Sequence, residues 1–226
     1  MRCIAHRGCA ARAPENTVRA VELAAPHVDM VEVDVRRCGS GELVVFHDER
    51  LGRLTDGRGR VADRSYDHLR RLYVEGSDER IPLLPDLLAA VPPDVGVNVE
   101  CKHAGVAADL LAALNGVPNE VLVSSFDPDA LREVGEASDL PLAYLFHREV
   151  RRFGRDWTRA IERARRLGCS YLHPEYRLCL ERPERIDRAH DGGFEVNTWT
   201  VKHPRTVERL REAGVDGVIV DDWAIV

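Results

Sequence analysis

Two short stretches of the chain alternate charged or polar residues with apolar ones: Glu32-Val33-Asp34 and Asn98-Val99-Glu100-Cys101-Lys102. Successive side chains of an extended strand point to opposite faces, so Glu32 and Asp34 share one face, and Asn98, Glu100 and Lys102 share another. Val31, Val33, Val35, Val97, Val99 and Cys101 between them suit packing against other elements, which turns the charged faces toward a partly buried space. A desolvated carboxylate without a partner is costly there, and a divalent cation neutralises several at once. Three carboxylates, completed by water and substrate oxygens, form a hard oxygen site that suits Mg²⁺ or Ca²⁺ over a soft-ligand metal.

His6, followed by Arg7, and His47, which ends the Val44-Val45-Phe46 run before Asp48, add groups that exchange protons near neutral pH. A plainer arrangement pairs Glu32 and Asp34 only with Arg7 and Lys102, and a lone histidine beside an apolar run commonly serves as a hydrogen-bonded structural residue. The set as a whole offers more. Phosphodiester hydrolysis needs a cation and basic groups to offset phosphoryl charge, a proton acceptor for the nucleophile and a proton donor for the leaving alkoxide, and each need has a candidate here. Lys102 gains weight because Lys102 and Lys202 are the only lysines among the basic residues, so a compact ammonium at a strand end marks a geometric demand.

The elements that must position these residues follow from the alternation of short β-branched runs with longer segments of helical period, the pattern of repeated β-α units. Strands are expected near Arg2 to Ala5, Met30 to Val35, Val95 to Cys101, Val121 to Ser124, Leu142 to Leu145, Ser170 to Leu172, Glu195 to Trp199 and Gly217 to Val220. Asn16 or Thr17, Asp127 before Pro128, and His203 before Pro204 read as helix caps. Eight strands in 226 residues predict an α/β fold, a (β/α)8 TIM barrel, with a doubly wound open sheet as the alternative. The stretch of about 49–92 is long for one connection and is expected to form a small excursion over the barrel mouth, after a further strand at Leu43 to Phe46. The few residues after the last strand predict a shortened C-terminal end. One domain spanning 1–226 is the expectation, since no linker-like composition interrupts the chain.

Net charge is a mild -6 with both signs mixed along the chain, which argues against nucleic acid as a partner. Arginine pairs such as Arg151-Arg152, and Arg163 to Arg166, read as solvated helix faces. No apolar run is long enough to span a bilayer and the N-terminus has no secretory layout, so no stable membrane insertion and a cytoplasmic location are expected. The six cysteines form no CxxC pair and read as reduced and mostly buried.

Taken in order, Ala5-His6-Arg7-Gly8, Pro14-Glu15-Asn16-Thr17, Glu32-Val33-Asp34, Val45-Phe46-His47-Asp48, Thr55-Asp56-Gly57, Asn98 to Lys102, Ser124-Ser125-Phe126, Asn197 to Val201 and Gly214 to Gly217 resemble the glycerophosphodiester phosphodiesterase family from end to end. The resemblance implies metal-dependent hydrolysis of a small-molecule glycerophosphodiester to an alcohol and sn-glycerol 3-phosphate. It implies that Glu32, Asp34 and Glu100 bind one divalent cation, Mg²⁺ or Ca²⁺, that His6 and His47 are the acid/base pair, and that Arg7 and Lys102 contact the phosphate, with Trp199 at the substrate. The chain departs from the family's pattern at Pro82-Leu83-Leu84-Pro85, Val220 and Lys202. Hydrolysis of lysophospholipids on the same site and a non-catalytic phosphate-binding module are the alternatives, and assembly into a homo-oligomer is left open.

Overall fold

Val- and Leu-rich runs buried on both faces read as parallel strands, because each must pack against helices outside and fill the sheet's interior. In the computed structural model, which describes residues 1–147 and 157–226, these runs are β1 (Arg2–His6), β2 (Met30–Arg37), β4 (Gly96–Cys101), β5 (Val121–Ser125), β6 (Leu142–Phe146), β7 (Tyr171–Pro174), β8 (Glu195–Val201) and β9 (Gly217–Val220). All pair in parallel, and β1 pairs with both β2 and β9, so the sheet closes on itself. The expected (β/α)8 barrel is therefore present. The short β3 (Leu43–Val45) turns back antiparallel onto the end of β2.

Helix α1 (Val18–Ala24) links β1 to β2, while α2 (Tyr66–Leu69) and α3 (Leu84–Leu88) lie between β3 and β4. Then α4 (Ala107–Leu114) and α5 (Pro128–Ala137) follow β4 and β5, α6 (Trp157–Arg166) and the pair α7 (Tyr176–Glu181) and α8 (Glu184–Asp191) flank β7, and α9 (Pro204–Glu212) precedes β9. Thr17, not Asn16, caps α1, accepting from the Ala20 amide at 3.2 Å, and Asp127 caps α5. His203 holds the cap position of α9 without a side-chain bond. After β9 a single 3-10 turn, Trp223–Ile225, stands in place of a full helix. Arg165 and Arg166 are exposed on α6 and Arg163 is half-buried, whereas Arg151 and Arg152 lie outside the described residues.

Two apolar clusters support this frame. The large one joins outward-facing strand residues, Val31, Val33, Val97 and Val99 among them, to the helices. The small one belongs to the excursion: Cys38, Val44, Phe46, Leu51, Leu54, Val61, Leu69 and their neighbours. Leu43 and Val45 face the first and Val44 and Phe46 the second, so β3 forms the wall between them. Inside the barrel, Ile4, Met30, Leu122, Ala143 and Ile219 form an apolar plug, each one inward-facing step before a residue nearer the mouth. All six cysteines are free and buried, and no described helix is long and apolar enough to cross a membrane.

Candidate active site

Above the plug, at the C-terminal ends of the strands, Glu32, Asp34 and Glu100 converge: one oxygen from each lies within 4.8 Å of the others, and all three residues are buried. Their strands are neighbours in register, with Asp34 opposite Glu100, so alternation delivers the carboxylates side by side. Glu32 Oε2 accepts from the Arg7 amide at 2.9 Å, while its Oε1 is buried with no hydrogen-bond partner. Asp34 Oδ2 accepts from Asn16 Nδ2 at 2.7 Å, and the Arg7 guanidinium lies 3.2 Å from the same oxygen. Lys102 Nζ sits 2.6 Å from Asp34 Oδ1 and also contacts Glu100.

The loop after β1 is bent to reach this cluster. Arg7 and Asn16 adopt left-handed backbone conformations with φ of 53° and 60°, which cost a non-glycine residue about 1 kcal/mol or more. Each delivers a donor in return, the Arg7 amide to Glu32 and the Asn16 side chain to Asp34. Gly8 is also left-handed, and a Cβ there would lie 2.7 Å from that of Ala20, so only glycine fits between the loop and α1.

Burial, then the charges of Asp34 and Glu100, pushes the Glu32 carboxyl well above the usual carboxylate range. Burial also raises Glu100, outweighing the nearby Lys102. Asp34 is opposed by burial too, yet Lys102 and Arg7 hold it below its ordinary value. For Lys102 burial favours the neutral amine, but Asp34 and Glu100 reverse this and keep the ammonium. Three carboxylates against two cations, with one buried oxygen left without a partner, fit a hard divalent cation among Glu32, Asp34 and Glu100.

His6 and His47 both line the pocket beside these groups, together with Lys102, Asn98, Ser124 and Trp199. Each imidazole is fixed by a carboxylate on Nδ1: Asp221 lies 2.6 Å from His6, and Asp48 lies 2.6 Å from His47. Burial, followed by the Lys102 charge, lowers the His47 pKa and favours the neutral ring. The two carboxylates are in turn held by Lys202, at 3.1 Å, and by Arg53, at 2.6 Å. Arg36 Nε donates to the His47 carbonyl at 2.8 Å. Arg7 Nη1 bonds Glu15 at 2.7 Å. Trp199 meets Phe126 edge-on at 5.4 Å and donates its Nε1 to the His173 carbonyl at 2.7 Å.

All eight residues singled out from the sequence, His6, Arg7, Glu32, Asp34, His47, Glu100, Lys102 and Trp199, thus meet around one pocket or pair with a group that lines it. Asp221 and Arg53 carry no weight in the sequence reading, while Glu15 and Asn16 enter it only within the Pro14 to Thr17 stretch, with Asn16 also given as a cap. Asp221 had a signal, since it follows Ile219 by two positions and so faces inward at the strand's end. His173 is also unforeseen: expected to lie past its strand, it sits inside β7, fully buried, with Asn197 Nδ2 3.2 Å from its Nε2 and no partner for Nδ1. Burial lowers its pKa to about 3.

Residues 6–225 match the model of the glycerophosphoryl diester phosphodiesterase family. A glycerophosphodiester phosphodiesterase of Caldanaerobacter subterraneus subsp. tengcongensis is 33% identical over 238 aligned positions, covering 97% of this chain and 93% of that relative. A phosphodiesterase from Oleispira antarctica, solved in complex with the product sn-glycerol-3-phosphate, matches with a TM-score of 0.88 at 27% identity, covering 100% of this chain and 95% of that one. A glycerophosphodiester phosphodiesterase from Thermotoga maritima gives a TM-score of 0.85 at 28% identity, covering 98% and 94%.

Proposed function

The chain belongs to the glycerophosphoryl diester phosphodiesterase family, and from that premise we propose that it hydrolyses glycerophosphodiesters to an alcohol and sn-glycerol 3-phosphate with Glu32, Asp34 and Glu100 holding one Mg²⁺ or Ca²⁺. The observation that carries the reading is the convergence of these three buried carboxylates between two histidines that each have a carboxylate on Nδ1. Bound there, the cation supplies Lewis-acid stabilisation of charge on the phosphoryl oxygens. With both Nδ1 atoms engaged, Nε2 of His6 and of His47 is the nitrogen available to exchange protons with substrate. One imidazole accepts the proton of the attacking hydroxyl and the other donates to the departing alkoxide. The glycerol hydroxyl next to the phosphate is the proposed nucleophile, giving a cyclic phosphate that water opens with the histidine roles exchanged. Asp221 and Asp48 hold the rings in place through Nδ1.

Arg7 and Lys102 stay cationic beside this chemistry and contribute positive charge where phosphate oxygens arrive. Trp199 forms one wall of the substrate site. The reading takes residues 1–226 as one barrel domain with about 49–92 as a small insertion at its mouth, working in the cytoplasm on a small molecule, without nucleic acid or membrane insertion. Glu100→Gln tests it, because the amide keeps the shape of the side chain and removes one ligand charge. Cation-dependent release of glycerol 3-phosphate is expected to disappear while the thermal transition stays sharp. Full activity in that variant would refute the cation site.

A further inference from the structure

The catalytic pocket is small, about 110 Å³, and shares Trp199 and Thr200 with a neighbouring groove of about 580 Å³. The groove is lined further by His147, Glu175, Tyr176, Arg177, Lys202 and His203. A diester arm that leaves the pocket across Trp199 therefore enters it. Among the described residues no aliphatic side chain lines this space; its walls are aromatic, polar and charged.

The accessible charge is positive. The side chains of Arg177 and Lys202 are 58% and 67% exposed, whereas Glu175 is 12% exposed and already engaged by Arg177 at 2.5 Å. Asp221, the partner of Lys202, gives its other oxygen to His6. Among the described residues the aromatic rings are already engaged: the Arg177 guanidinium lies 5.0 Å from the Tyr176 ring centroid, and Trp199 meets Phe126 and His147 in edge-to-face contacts. We infer that this groove receives one arm of the substrate and selects for an arm bearing a phosphate or carboxylate, against a quaternary ammonium and against an acyl chain. The inference rests on the hydrolase reading above and names the substrate class within it.

The test compares kcat/KM at low ionic strength for glycerophosphodiesters whose second alcohol is choline, glycerol, glycerol carrying a terminal phosphate, or a monoacylglycerol as the acylated arm. The phosphorylated compound is expected to lead and choline to trail by about tenfold or more, with the monoacylglycerol ester slowest. About 0.5 M KCl should compress the series. Arg177→Glu should reverse the order of the two charged substrates, and Arg177→Gln should flatten it. Preference for choline, rapid turnover of the acylated substrate, or an order insensitive to both salt and Arg177 would overturn the inference alone. No turnover of any of the four would overturn the hydrolase reading and this inference with it.

Discussion

His173 gives a prediction whose size can be worked from its surroundings. The ring is fully buried in β7, its Nδ1 has no partner, and the neighbouring Asn197 amide is uncharged. Burial holds the pKa at about 3, against about 6.5 for an unfolded histidine. The unfolded chain thus takes up the proton first. The stabilisation is fully present above pH 6.5 and is lost as pH falls toward 3. Each pKa unit is worth about 1.4 kcal/mol, so lowering the pH from 7.5 to 4.5 removes on the order of 2.5 kcal/mol through this one residue. In a chain of this length that corresponds to roughly 5–10 °C in melting temperature.

His173→Gln removes the titration and keeps a comparable volume. Urea unfolding of both proteins, with EDTA present throughout, cancels the carboxylates that titrate in the same range. A fixed offset at pH 7.5 is expected to shift in favour of the variant by about 2.5 kcal/mol at pH 4.5. Parallel stability curves over that range would refute the argument that an uncompensated buried imidazole resists protonation.

Two further outcomes follow from the bonds around the pocket. Asp221→Asn, which weakens the hold on His6, should lower kcat by at least about tenfold and move KM little, with a smaller loss than His6→Ala; steady-state kinetics showing an unchanged kcat would remove Asp221 from the positioning role. Asn16→Ala should destabilise the protein by about 3 kcal/mol through the lost bonds to Asp34, and Asn16→Gly by about 1 kcal/mol less because glycine accepts the left-handed backbone. Denaturation showing glycine as harmful as alanine would contradict that strain.

The barrel was legible because its strands are buried on both faces and read as unbroken apolar runs, in which a charged residue at alternate positions stands out. Glu32, Asp34, Glu100 and Lys102 are visible for that reason. Asp221 obeys the same alternation, but its run is only four residues long and its partner His6 lies 215 positions away, so nothing local announces the pair. Asn16 was hidden differently. Beside Thr17 it looks like a helix cap, and its reach to Asp34 depends on a left-handed backbone conformation that no local pattern announces. Strand β7 was cut short because His173-Pro174 breaks the apolar pattern, although the ladder to β6 runs on through both residues.

The dividing position of β3 gives the excursion an apolar nucleus of its own. Val44 and Phe46 anchor the segment from Glu49 to Arg80 to a hydrophobic nucleus separate from the one behind the carboxylates, and Arg53 ties it back, through Asp48 to His47 and through Glu15 to Arg7. His47 follows the end of that partition, so its register is guarded by apolar packing on both sides.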